Sequence, residues 1–166
     1  MKSWITTVLA VATLTSSAGT ALAGCTDPGE PGVNWQRCYF ERHDLRKIQL
    51  ANAKLRDASF SRALMTGAEL SGADAFRAKF ISTKLAGAKF NDARLLEADF
   101  TKADLSNTSF RNTDLRRAKL FRVNLRGADL TGARMRGADL HYAELSGATW
   151  VDGKKICAEG SIGRCL

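Results

Sequence analysis

The chain has 166 residues, with 25 Lys and Arg against 17 Asp and Glu, a formal net charge of +8 and a pI near 9.6. That length is one domain's worth and long enough for a continuous core. The positive balance favours anionic over cationic partners, and it bears on association, not on fold.

Residues 1–23 read as an export signal. Lys2 is a short positive start, WITTVLAVATL (4–14) is an apolar stretch of suitable length, and Ala21-Leu22-Ala23 is an A-x-A cleavage site. The apolar run is too short for a membrane span, which needs about 20 such residues. Cleavage after Ala23 removes one basic residue and no acid, leaving a chain at +7. LAGC (22–25) gives an alternative, since it is similar to a bacterial lipoprotein box with Cys25 as the acylated residue. The polar TSSAGT before it departs from the continuous apolar run of such signals. Cys25, Cys38, Cys157 and Cys165 form an even set, which in an exported chain suggests two disulfides. Acylation of Cys25 would leave Cys38 without a partner.

From Phe40 to Trp150 every fifth residue is a centre, giving 23 repeats in one frame, and all centres but Ala75 and Trp150 are Leu, Phe or Met. Alanine stands two places before the centre in 16 of the 23, so the frame has two small-or-apolar positions per repeat. A helix cannot use this pattern: five residues advance about 500°, and successive centres drift by about 140°. A continuous strand fails too, because an odd period sends alternate centres to opposite faces. What fits is a very short extended segment followed by a turn, and the turn positions carry Gly67, Gly72, Gly87, Gly127, Asn52 and Asn107 among others. Phe40, Phe60, Phe80 and Phe100 are spaced by 20, and Phe90 and Phe110 form a second such pair. Four faces, with one coil per four repeats, account for both sets.

This pattern resembles the pentapeptide repeat family, whose A-[DN]-L-x-x repeat is seen here as ADLSN, ADLTG and AKFND. The resemblance covers residues 36–150. It implies an all-β fold, a right-handed quadrilateral parallel β-helix with the centres inside and the minus-two residues beside them. Coils stacked about 4.8 Å apart would make a rod of roughly 28 Å.

Such a stack has an unpaired edge at each end, so caps are expected. Residues 24–35, which hold both prolines, suit an N-terminal cap with Trp35 over the first coil, and 151–166 suit the C-terminal one. In that architecture Cys38 and Cys157 lie at opposite ends of the rod, whereas a disulfide needs Cα atoms within about 7 Å. The expected pairs are Cys25–Cys38 and Cys157–Cys165.

The sequence has no Gly-rich phosphate loop, H-E-x-x-H, C-x-x-C or G-x-S-x-G. His43 and His141 fall on the first and last full coils, too far apart to share a metal. No catalytic, cofactor or metal site is predicted, and an unbroken frame leaves no loop of the kind that carries catalysis.

Outward charges alternate in sign along several columns, as in Lys54, Asp74, Arg94, Asp114 and Arg134, and others use neutral turns. One column differs: the turns after the first-face centres read Arg42, Arg62, Ser82, Lys102 and Arg122, with no acid. Arg42, Arg62, Lys102 and Arg122 are the candidate anion-binding ridge. The functional expectation is a non-catalytic exported scaffold or binding module, periplasmic or extracellular, contacting a protein or an anionic envelope polymer or lipid. A lipid-anchored envelope protein tethered at Cys25 is its alternative. The topoisomerase-directed DNA mimicry of acidic cytosolic family members does not transfer to a basic chain with an export signal.

Overall fold

Each five-residue repeat ends in a turn whose second inner residue has a positive φ. Sixteen non-glycine residues adopt this conformation, all two places after a centre, with φ between 54° and 63°. The turn closes when the N–H at the minus-two position donates to the preceding centre's carbonyl, as Ala53 does to Leu50 at 3.1 Å. The chain bends there by about a quarter turn, and four repeats return it to its starting face. The structure is a computed structural model and describes residues 24–166. The export signal read at residues 1–23 lies outside the described residues.

Pairing is parallel, and its register is 20 residues from Asn34↔Lys54 to Asp129↔Thr149. The centre N–H donates to the next coil, Leu50 to Glu69 O at 2.7 Å, and the turn residue does the same, Asn52 to Ser71 O at 2.8 Å. The residue before the centre donates backwards, Lys54 to Val33 O at 2.8 Å. The result is a right-handed four-sided parallel β-helix. We number its faces by their centres: face one carries Phe40 to Leu140 in steps of 20, face two Leu45 to Leu145, face three Leu50 to Trp150 and face four Trp35 to Met135.

Inside, the centres and minus-two residues form one apolar cluster running the length of the rod. Phe40, Phe60, Phe80 and Phe100 stack with centroids 5.4, 5.2 and 4.8 Å apart, and Phe90 stacks on Phe110 at 5.4 Å. The two columns meet edge to face across the core, Phe80 against Phe90 at 5.7 Å. Where threonine replaces alanine, its hydroxyl is satisfied: Thr83, Thr108 and Thr113 donate to the carbonyls of Phe60, Leu85 and Phe90.

One N–H per repeat, directly after the centre, points outwards. In several repeats a side chain two residues earlier accepts it: Asp99 from Thr101 at 3.0 Å, Asp129 from Thr131 at 2.9 Å, Asp139 from His141 at 3.0 Å. This local side-chain-to-backbone bond is the reason for Asp or Asn before the centre. Charge alternation along those columns is therefore only part of their role.

Repeat geometry reaches back further than residue 36. Pro31 and Gly32 form a turn, Gly32 donates to Ala51 O at 2.8 Å, and Asn34 joins the ladder. Trp35 then takes a centre position on face four and lies against Phe40 at 4.1 Å, its Nε1 donating to Asp27 O. At the other end parallel pairing stops at Thr149. The following segment turns back antiparallel, Ile156 beside Thr149 and Ile162 beside Glu144, covering faces three and two. Disulfides hold both ends, Cys25–Cys38 with Cα atoms 5.4 Å apart and Cys157–Cys165 with 4.8 Å.

Candidate anion-binding face

The turn after each face-one centre places its residue on the edge between faces one and two. The 20-residue register therefore stacks Arg42, Arg62, Ser82, Lys102 and Arg122 in one column, a coil apart. All five have a positive φ, between 54° and 63°. Left-handed backbone is unfavourable for residues with long side chains and free for glycine. Along the edge between faces two and three the same position is held by Gly67, Gly87, Asn107, Gly127 and Gly147, with Lys47 the exception. The basic column thus occupies a backbone conformation that the neighbouring edge of the rod gives mainly to glycine and asparagine.

Several other cations on the rod have acidic partners. Asp114 is buried and accepts from Arg116 at 2.8 Å and pairs with Arg134 at 3.1 Å. The Arg116 hydrogen bond, against the opposing effect of burial, holds the Asp114 carboxyl below the ordinary carboxylate value. Glu97 is lowered likewise, first by its hydrogen bond with Arg77 and then by Arg117 from the coil above. Arg94 reaches Asp74 at 3.3 Å, and Lys119 reaches Asp99 at 3.5 Å. Arg42, Arg62, Lys102 and Arg122, by contrast, form no ion pair and no side-chain hydrogen bond among the described residues.

Sequence reading misses the aromatic groups beside these cations. Arg122 sits between Phe121 and Tyr142, its guanidinium carbon 5.3 and 5.5 Å from the two ring centroids. On the edge between faces four and one, Arg56, Arg77 and Arg94 surround Phe76 at 4.8 to 5.1 Å. The available signal is an aromatic residue directly after a centre, an outward position in the frame. His43 and His141 take part in local bonds only, His43 Nδ1 with Glu41 O and His141 Nδ1 with Asp139. Among the described residues no three His, Cys, Asp or Glu side chains converge on a metal-sized site.

Two family descriptions match the chain: "Pentapeptide repeat region" over residues 73–150 and "Pentapeptide repeats (8 copies)" over 44–80. No curated protein matches it. Similar solved structures include trypsin-treated QnrB1, a plasmid-mediated fluoroquinolone resistance protein, at 18% identity and a TM-score of 0.51, over 76% of this chain and 71% of that one. HetL, a pentapeptide repeat protein involved in heterocyst differentiation regulation in the cyanobacterium Nostoc sp. strain PCC 7120, is 27% identical over 75% of this chain and 70% of its own, with a TM-score of 0.46. A pentapeptide repeat protein of the Arabidopsis thaliana thylakoid lumen is 22% identical over 74% of this chain and 83% of that one, with a TM-score of 0.33. With an unbroken five-residue frame, a 20-residue parallel register and both family descriptions in agreement, the chain belongs to the pentapeptide repeat family.

Proposed function

We propose that this protein is an exported, non-catalytic binding scaffold that contacts an anionic component of the cell envelope through Arg42, Arg62, Lys102 and Arg122. Pentapeptide repeat proteins are in general non-enzymatic structural or interaction proteins. The observation that carries the finer reading is the column of four cations in left-handed backbone, with no acid among them and no ion pair among the described residues, whereas the turn column across face one alternates Arg37, Asp57, Arg77, Glu97 and Arg117. Stacked about a coil apart, they repel one another only weakly through water and remain available to an incoming anion.

The Cys25 sulfur is bonded to Cys38, which supports a soluble mature form over the lipid-anchored alternative, since acylation uses that same sulfur. Mass spectrometry of the mature protein from its native membrane or secreted fraction tests this point. A chain starting at Gly24 with no free thiol is expected, and a diacylglyceryl group on Cys25 would replace the reading with the tethered one.

Binding is tested by titrating the oxidised protein with immobilised lipopolysaccharide, acidic polysaccharide and anionic vesicles at increasing salt. Binding to at least one of these that weakens steeply with salt is expected. No binding to any of them at low salt would overturn the proposal.

A further inference from the structure

The unpaired column is one border of a larger asymmetry. Face one and its two edges comprise six segments, 36–42, 56–62, 76–82, 96–102, 116–122 and 136–142. They contain twelve Lys or Arg against five Asp or Glu, whereas the rest of residues 24–166 is balanced at twelve against twelve. The entire net charge of the described chain therefore belongs to one side of the rod.

Two independent features coincide with that side. The first is aromatic. Among the described residues, Tyr39, Phe76, Phe121 and Tyr142 are the aromatic residues at outward positions, and all four lie on face one or its edges. Tyr39 and Tyr142 are 72% and 65% exposed, one near each end of the rod. The second is conformational. On the two edges bordering face one, the left-handed turn position is filled by Arg, Lys, Glu, Asp, Ser or Tyr, with Gly137 the single glycine. On the other two edges it is Gly, Asn or Asp throughout the parallel stack, apart from Lys47. Long polar side chains are retained where the backbone disfavours them, on the same side that gathers the charge.

We infer that face one with its edges is a docking surface for an extended acidic polysaccharide lying along the rod axis, one sugar to a coil. This deepens the proposed function and rests on its anion-binding reading. The surface is long, narrow and straight, and its cations recur with the coil spacing of about 4.8 Å. That spacing is close to the length of one pyranose ring in an extended chain and shorter than the phosphate spacing of an extended nucleic-acid strand. Carboxylates within the surface, among them Glu41, Asp57 and Asp139, suit sugar hydroxyls as hydrogen-bond donors. Single-stranded DNA, an anionic polymer without ring hydroxyls, has no such row of donors to offer them. Exposed Tyr39 near one end, and Phe121 with Tyr142 beside the Arg122 guanidinium near the other, offer apolar platforms to the C–H faces of sugars.

The test is a titration of the oxidised protein with oligogalacturonates of two to ten residues. Single-stranded DNA and phosphatidylglycerol vesicles serve as parallel probes. Affinity for the oligogalacturonate should rise with length to about six sugars, matching the six face-one coils, and then level off. Replacing Phe121 and Tyr142 by Ala should weaken hexagalacturonate binding about five- to tenfold without removing a charge. Arg62→Asn with Arg122→Asn should weaken it more, and because asparagine accepts the left-handed turn, the variant's melting temperature separates lost contacts from lost folding. Strong binding to DNA or vesicles with none to the oligogalacturonate would overturn this inference while leaving the anion-binding proposal standing. Affinity independent of oligomer length would overturn the axial arrangement. Absence of binding to all three probes would remove both.

Discussion

Phe60 and Phe80 stack with ring centroids 5.2 Å apart and planes inclined by only 8°, although 20 residues of chain separate them. Both rings are fully buried, so each coil contributes one layer to a column that has no room for a slipped register. Phe80→Ala should cost about 3–5 kcal/mol by denaturant unfolding. Leu105→Asp should cost more than about 4 kcal/mol, because the carboxylate would stand among apolar neighbours without a partner. Near-native melting of the Leu105→Asp protein would contradict a continuous core at that coil.

The turn position gives a prediction of opposite sign. Arg62 has φ 63° and no side-chain partner among the described residues, so Arg62→Asn should raise stability by up to about 1 kcal/mol. Gly132 has φ 70°, and a Cβ there would run into Asn112 Oδ1. Gly132→Ala should therefore lower stability by about 1–2 kcal/mol. Thermal melts of the two variants under one condition check both signs.

Each disulfide closes a short loop, with sequence separations of 13 and 8, at an end where the ladder lacks a neighbour. Reduction should loosen the caps by about 2–3 kcal/mol each on the loop-entropy view. Peptide mapping of the non-reduced protein should recover Cys25 with Cys38 and Cys157 with Cys165. A cross-pair such as Cys38 with Cys157 would be incompatible with a rod that holds them at opposite ends.

Most of the fold is legible because its physical determinant is local. One apolar centre every five residues excludes helix and strand alike, and the spacing of Phe40, Phe60 and Phe80 fixes four faces before any coordinate is known. The first repeat is harder to read, since Pro31 and Trp35 depart from the prevailing residue types although their positions obey the frame. The second task of Asp99 or Asp129, capping the N–H two residues on, cannot be separated by sequence from the pairing of stacked charges. The ridge column is legible from period and charge alone. The aromatic border is not, because Tyr39, Phe76, Phe121 and Tyr142 become a group only after the chain is wound and their coils are aligned.

Acid should weaken the rod through Asp114 in particular. Its carboxyl is lowered in the folded state by the Arg116 hydrogen bond, so its contribution is full above the unfolded value of about 3.9. That contribution is lost as pH falls through the lower folded value. Asp114→Ala should cost about 1–3 kcal/mol at neutral pH, and the gap to the unmodified protein should close in strong acid. A gap that stayed constant down to pH 2 would assign the loss to packing.

The ridge is tested against equal loss of charge elsewhere. Arg62 and Arg122 lie on the unpaired column, whereas Lys47 and Lys84, on face two and its edge toward face three, are cations without an ion pair among the described residues. Reversing either pair to Glu lowers the net charge by the same four units. If binding senses only diffuse positive charge, the two double variants should lose affinity equally, because long-range attraction depends on the total. If the ridge makes the contact, Arg62→Glu with Arg122→Glu should abolish binding at physiological salt, where screening acts over about 8 Å and only close charges matter. Lys47→Glu with Lys84→Glu should then cost no more than about threefold. Both pairs lack acidic partners, so neither reversal breaks an ion pair, and the melting temperatures should stay within a few degrees of the unmodified protein. Retained binding by the ridge variant, with loss in the face-two variant, would move the site to the other side of the rod.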